Sequence, residues 1–327
     1  MCAMTSPPTP VPFPADATLA DVGEFGLVAA LTARFSQGDH VILGPGDDAA
    51  VVGVPDGRVL VSTDLLVDTR HFRRDWASAT DIGHKAAAQN LSDINAMGGR
   101  ATALTVGLAA PADLSAAWAM ELADGIAAES ALVQASVVGG DITAADQLMI
   151  AITVLGVVDG DPVRRSGARP GDVVAMAGRQ GWAAAGLAVL GRGFRSPRVL
   201  VEAHRRPTPP YAAGPQAAAL GATAMIDVSD GLLADAGHIA ESSGVAIDIA
   251  TASFEVAEPL RAVGAALGAD PMQFILTGGD DHALVATFPA GTSLPPEWTA
   301  IGVVSEGSGV TVDGAPYDGP AGHQHFR

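Results

Sequence analysis

Five times along this chain an apolar run or a tight glycine turn delivers clustered aspartates or hydroxyls: Gly46-Asp47-Asp48, Ser62-Thr63-Asp64, Gly139-Gly140-Asp141, Asp227-Val228-Ser229-Asp230 and Gly278-Gly279-Asp280-Asp281. Acidic groups so dispersed can act together only in a fold that carries strand ends and turns to a common place, which favours an α/β architecture. Taken singly, each segment reads first as a turn, because Gly and Asp are the usual residues of tight turns. Their recurrence carries the information. Adjacent carboxylates such as Asp47-Asp48 and Asp280-Asp281 repel each other unless water or cations neutralise them. Magnesium takes hard oxygen ligands, commonly one or two carboxylates plus substrate phosphates, and scattered aspartates suit it better than they suit a dense calcium cage. No EF-hand spacing is present.

The segments between these clusters alternate in period. Glu24–Phe35 has helical apolar spacing, Val59–Val61 reads as a strand delivering Ser62-Thr63-Asp64 at its end, and Asp81–Met97 reads as a helix stopped by Gly98-Gly99. Strands are expected over Ala101–Leu108, Ala135–Val138 and Leu148–Val158, with a helix over Leu114–Leu132. The apolar pattern breaks at Asp159-Gly160-Asp161-Pro162. Beyond it come strands Val173–Ala177, Ala224–Val228, Val245–Ile249, Ala283–Phe288 and Ala300–Val304, with helices Trp182–Leu190 and Leu232–Ser242. With 327 residues the chain exceeds one ordinary core, so a flexible tail (1–18) and two domains (19–160 and 161–327) are expected. The proline-rich start lacks the basic and apolar stretches of a secretory signal, and Met1 or Met4 could open the chain.

Several function classes are disfavoured. The net charge of −18 repels nucleic-acid backbones and anionic membranes, and no continuous apolar stretch reaches membrane-spanning length. The single cysteine, Cys2, leaves no internal disulfide or thiolate cluster and suits a reducing cytoplasm. Neither a Walker sequence nor the dinucleotide fingerprint occurs, and no nucleophile elbow supports covalent catalysis. Positive charge for phosphates could come from Arg164-Arg165 or from Arg70-His71-Phe72-Arg73-Arg74, each of which could equally be an exposed turn. On the helix over Asp81–Met97, Gln89, Asn90 and Asp93 fall near one face, either as converging oxygen ligands or as a solvent-facing polar stripe.

Taken in order, these segments give the chain a resemblance to the thiamine-monophosphate kinase family of the aminoimidazole-ribonucleotide synthetase-like ATP-binding superfamily. The match begins at Gly23-Glu24-Phe25 and passes through Gly46-Asp47-Asp48-Ala49, Ser62-Thr63-Asp64, His71-Phe72 and Asn90-Leu91-Ser92-Asp93-Ile94 with Ala96-Met97-Gly98. It continues through Gly139-Gly140-Asp141, Arg165-Ser166-Gly167-Ala168, Pro170-Gly171-Asp172, Asp227-Val228-Ser229-Asp230-Gly231-Leu232 and Gly278-Gly279-Asp280-Asp281.

The resemblance implies an α/β (α+β) two-domain synthetase-like fold, with an N-terminal mixed sheet that pairs across a homodimer and a C-terminal α/β sandwich. It also implies transfer of the γ-phosphate of ATP to thiamine monophosphate, assisted by several Mg2+ ions. Carried over position by position, Asp48, Ser62, Thr63, Asp64, Asp93, Asp141, Asp227 and Asp230 look like metal ligands. Gly140, Asp141, Arg165 and Ser229 look like ATP contacts, and His71, Asp280 and His323 like substrate contacts. Two positions depart from the family pattern. Where relatives read Gly-Gly-Glu-Asp-Tyr-Glu-Leu, this chain reads Gly278-Gly279-Asp280-Asp281-His282-Ala283-Leu284, a carboxylate one methylene shorter, and His323 stands where an aromatic residue is common. The rival readings are another ATP-dependent synthetase of the superfamily, ring-closing or amide-activating, and a non-catalytic nucleotide- and metal-binding protein.

Overall fold

The computed structural model describes residues 12–14, 16–45 and 49–323. It divides into two compact units, Met1–Asn90 with Ala101–Leu155, and Leu91–Arg100 with Gly156–Arg327.

The first unit opens with α1 (Leu19–Val22), whose start is a reciprocal cap: the Thr18 hydroxyl accepts from the Asp21 amide at 3.3 Å and the Asp21 carboxylate accepts from the Thr18 amide at 2.9 Å. Then follow α2 (Glu24–Thr32), the short strands β1 (Val41–Leu43) and β2 (Val51–Val52), β3 (Leu60–Val67), α3 (Ala79–Ala96), β4 (Arg100–Ala110), α4 (Ala116–Leu132), β5 (Ser136–Ala144) and β6 (Met149–Val157). The sheet order is β3-β6-β4-β5. Strands β4 and β5 run parallel, so their connection must cross over, and α4 is that crossover. Helices α3 and α4 meet at glycines: a Cβ on Gly83 would strike the Leu122 carbonyl, and one on Gly125 the Thr80 carbonyl. Gly125→Ala should therefore cost about 1–3 kcal/mol through overpacking. Urea unfolding measures this, and an unchanged midpoint would mean the helices have room to spare.

Two strands run past their sequence-expected ends. Ser62-Thr63-Asp64 lies inside β3, because Leu65-Leu66-Val67 continues the apolar run, and Gly139-Gly140-Asp141 lies inside β5. The glycines there serve strand pairing as well. The register skips a residue between Leu104 and Thr105, and a Cβ at Gly140 would run into the Val106 carbonyl.

The second unit contains β7 (Val173–Ala177), α5 (Trp182–Gly191), α6 (Arg198–Arg205), α7 (Ala213–Ala219), β8 (Ala224–Asp227), α8 (Leu232–Ser243) and β9 (Ala246–Ile249). A 3-10 turn at Thr251–Ser253 leads to α9 (Glu258–Leu267), α10 (Pro271–Thr277), β10 (Leu284–Phe288), β11 (Trp298–Ser305), β12 (Gly309–Val312) and β13 (Ala315–Pro316). Its seven-stranded sheet has the order β13-β12-β9-β11-β7-β10-β8. Two apolar clusters form its core. One includes Ile226, Leu232, Ile239, Ile247 and Ile301, and the other Met225, Leu284, Phe288 and Trp298, with Phe288 and Trp298 edge to face at 5.3 Å. Among the described residues no helix is long and apolar enough to cross a membrane.

Candidate active site

In the first unit the alternation of β3 sorts its three polar residues. Ser62 and Asp64 are half-buried, whereas Thr63 is exposed with Val61 and Leu65 on the opposite face. The Thr63 hydroxyl lies 2.8 Å from that of Thr153. Asp64 is held by its backbone: its amide donates to the Asn90 side-chain oxygen at 3.1 Å, and the Asn90 amide group donates to the Ala86 carbonyl at 2.9 Å. Asn90 is fully buried, so it is not part of a solvent-facing stripe; it ties β3 to α3. Gly140 and Asp141 are exposed on the edge strand β5. Asp48 lies outside the described residues.

The loop after β3 carries His71. The His71 Nδ1 accepts from the Val67 amide at 3.0 Å, which leaves the ring proton on Nε2. Thr69 adopts a positive φ of 70°, and its amide reaches the Phe72 carbonyl at 2.7 Å. A cavity of about 670 Å3 is lined by Asp68, Thr69, Arg73, Arg74 and Asp75. Two cations of this loop already have partners: Arg73 pairs with Asp75 at 2.8 Å and lies 4.4 Å from the Trp76 ring centre, and Arg74 pairs with Asp68 at 2.9 Å.

In the second unit the topology brings two of the acidic segments together. Strands β8 and β10 are antiparallel, with Asp227 opposite Leu284, so the chain leaving β8 meets the chain entering β10. Their loops are laced by backbone bonds from Val228 to the Ala283 carbonyl (2.7 Å), from Asp280 to the Ser229 carbonyl (3.0 Å) and from His282 to the Val228 carbonyl (3.1 Å). Gly279 has no room for a Cβ against the Ser229 carbonyl, and Asp280 and His282 both take positive φ, 67° and 54°. The strain marks a turn held in place by its surroundings. The segment before the C terminus joins them, because the His323 amide donates to the Asp230 carbonyl at 2.9 Å.

Asp227 is 5% exposed, and its Oδ2 accepts from the Ser92 hydroxyl at 2.8 Å and faces His282 Nδ1 at 3.0 Å. Burial pushes Asp227 upward, but the His282 hydrogen bond and charge, the Ser92 hydroxyl and the Arg165 charge outweigh it and hold the carboxyl below its ordinary range. Burial likewise pushes His282 down, yet the hydrogen bond and charge of Asp227, with Asp280 and Asp93 adding theirs, raise it. The two form a buried ion pair. Arg165 is exposed in a loop pinned by Ser243, whose hydroxyl accepts from the Gly167 and Ala168 amides at 3.1 and 3.2 Å. Two further acids lie nearby. Asp281 accepts from the Ala183 amide at 3.0 Å, and Asp235 accepts from three amides of the loop after β8; burial raises both to about 7. The sequence marked neither residue as a ligand: Asp281 stood beside Asp280 in its acidic segment, and Asp235 fell within the helix expected over Leu232–Ser242. Among the described residues no three His, Cys, Asp or Glu side chains form a ready-made metal cage.

A mixed sheet, an α3 rich in buried polar groups and acidic strand-end loops make this an α/β protein, and its N-terminal part carries an AIR-synthase-related domain. Residues 46–158 match the AIR synthase related protein, N-terminal domain. The chain is 48% identical over 312 residues to thiamine-monophosphate kinase of Mycobacterium tuberculosis strain H37Rv, covering 94% of this chain and 93% of that protein. It superposes on thiamine-monophosphate kinase from Stenotrophomonas maltophilia K279a with a TM-score of 0.79 and 34% identity, over 88% of this chain and 96% of that one. A structure of AaThiL complexed with AMPPCP and TMP matches with a TM-score of 0.79 and 32% identity, over 95% of this chain and 99% of that one. The chain belongs to the thiamine-monophosphate kinase family.

Proposed function

We propose that this protein phosphorylates thiamine monophosphate to thiamine diphosphate, with ATP as the phosphate donor. The observation that carries this reading is the 48% identity, nearly end to end, to a thiamine-monophosphate kinase. The solved relative that holds AMPPCP and TMP together supports the same pair of reactants. Incubation with ATP, magnesium and thiamine monophosphate should yield ADP and thiamine diphosphate in equal amounts. ADP formed without thiamine diphosphate would refute the assignment.

Every donor assigned to metal is a hard oxygen, and Asp227 spends one of its two oxygens on Ser92 and His282 while keeping the other. Such a set fits magnesium ions that complete their shells with phosphate oxygens and water. In this reading Asp48, Ser62, Thr63, Asp64, Asp93, Asp141, Asp227 and Asp230 are the ligands. Bound magnesium supplies charge neutralisation on the transferring phosphoryl group. Gly140, Asp141, Arg165 and Ser229 hold the nucleotide, while His71, Asp280 and His323 orient the acceptor. The acceptor phosphate is already largely ionised near neutral pH, so no side chain has to remove a proton. Alignment and charge screening are the main tasks of the residues. A reducing cytoplasm suits a chain with a single cysteine.

A homodimer belongs to the same proposal. Strand β3 is an edge of its sheet, and it leaves Val61 and Leu65 on one face, 58% and 51% exposed. Apolar exposure along a strand edge invites pairing with another chain. Val61→Lys combined with Leu65→Glu should move the protein from dimer to monomer mass in light scattering. An unchanged mass would place any dimer contact elsewhere.

A further inference from the structure

The start of α8 has the form of an anion nest, three successive backbone amides converging on one point, but the occupant is the chain's own Asp235. One carboxylate oxygen of Asp235, Oδ2, accepts from the amides of Ser229 at 3.1 Å, Asp230 at 3.1 Å and Gly231 at 3.0 Å. The side chain is 2% exposed, in the first turn of the helix. Gly231 makes the wrap possible: its φ of 143° is one that side-chain-bearing residues rarely adopt, and a Cβ there would press on the Thr277 carbonyl at 2.7 Å. Consecutive amides of this kind commonly take a phosphate. Here they are already satisfied.

The opposite edge of the same loop is held as well. The carbonyls of Val228 and Ser229 accept from the His282 and Asp280 amides, and the Asp230 carbonyl accepts from His323. The loop is thus gripped through its N–H groups by Asp235 and through its carbonyls by the turn before β10 and the C-terminal segment. What remains available to a ligand is side-chain chemistry: Ser229 is exposed and Asp230 half-buried.

We propose that Asp235 is a positioning residue for the phosphoryl-transfer site, its carboxylate filling the amide nest so that Ser229 and Asp230 are presented by their side chains and the α8 N terminus is closed to phosphate. The inference rests on the kinase reading, which assigns Ser229 to nucleotide and Asp230 to metal. Asp235 touches neither reactant; it acts through the loop.

Asp235→Ala tests the role in the full-length protein. Hydrogen exchange at the Ser229, Asp230 and Gly231 amides should accelerate about tenfold while β8 and the distal turns of α8 keep their protection. The KM for ATP and the magnesium midpoint should rise about tenfold, with kcat changed less. Added formate, an anion small enough to refill the nest, should bring both values back toward wild type, whereas formamide, neutral and of the same shape, should not. Unchanged exchange at the three amides would overturn the proposal. So would a lowered Tm with unaltered KM and magnesium midpoint, or equal rescue by formate and formamide. Should the alanine variant fail to fold, Asp235→Asn keeps the volume and is read by the same exchange and kinetic measurements. A wild-type protein that makes no thiamine diphosphate would defeat the kinase reading instead, and the exchange comparison would still decide whether Asp235 holds the loop.

Discussion

Asp64→Asn is expected to lower kcat by about 10²–10³-fold at saturating ATP, the magnitude typical of removing one preorganised electrostatic group from a transition state. The substitution keeps the side-chain shape. The backbone bond from residue 64 to Asn90 does not involve the carboxylate, so β3 should remain tied to α3. The melting temperature should accordingly stay at the wild-type value, and loss of turnover with an intact fold isolates the charge as the cause. Near-normal turnover would strip Asp64 of its assigned role. Thr63→Val makes an informative comparison: its hydroxyl is engaged with Thr153 on the opposite face of the strand, so a turnover loss as steep as that of Asp64→Asn would require the Thr63 oxygen to act from that face.

The second large effect concerns stability. His282→Leu removes the cation from a buried pair and leaves Asp227 with the Ser92 hydroxyl as its side-chain hydrogen-bond partner and the more distant Arg165 charge. Breaking a buried ion pair from one side costs about 3–5 kcal/mol, because the remaining charge stays desolvated. The effect has a pH signature, worked out with a chelator present so that no cation substitutes for the imidazolium. His282 is raised above its ordinary 6.5, so its contribution is complete below pH 6.5 and fades as pH climbs through the raised value. Asp227 is depressed below 3.8, so its contribution is complete above that pH and is lost as pH falls through the depressed value. The gap between wild type and variant in denaturant unfolding should therefore be widest between about pH 4 and 6.5 and narrow toward alkaline pH. A gap that grows from pH 6 to 9 would contradict the ion pair.

Much of the fold was legible because its strands carry β-branched and apolar runs between glycine turns. Val173–Ala177 has in the structure the limits its composition suggests, and Leu232–Ser243 ends at Gly244 in the left-handed conformation, as a glycine stop should. The helices α6, α7, α9 and α10 escaped notice for a shared reason. They are short, at most 10 residues, and three of them begin beside or on proline: Pro197 before α6, and a proline in the first turn of α9 and of α10. Proline there opens a helix, yet in a sequence it also marks a loop. The β12–β13 hairpin did carry a readable signal, since Asp313-Gly314 between two strand-like runs is a favoured hairpin turn, and both residues take positive φ.

The candidate site divides along a different line. Aspartates that end a strand or crowd a turn are visible as pattern, which is why Asp227, Asp230 and Asp280 could be named. What a pattern cannot give is partnership between distant residues. Asn90 looked like part of a polar stripe, and only the pairing of β3 with α3 makes it the anchor of Asp64. Asp281 stood beside Asp280 in an acidic segment and Asp235 inside the helix expected over Leu232–Ser242, but each is turned inward to satisfy helix-start or loop amides. His282 carried no role in the sequence, and the antiparallel union of β8 with β10 sets it against Asp227.

Under the kinase proposal one phosphoryl group moves directly between two bound molecules. ATP labelled with phosphorus-32 at the γ position, incubated with the protein, magnesium and thiamine monophosphate, reads that movement. Label recovered in the terminal phosphate of thiamine diphosphate, mole for mole with ADP, is the result expected here; label released as inorganic phosphate while thiamine monophosphate stays unlabelled would contradict it.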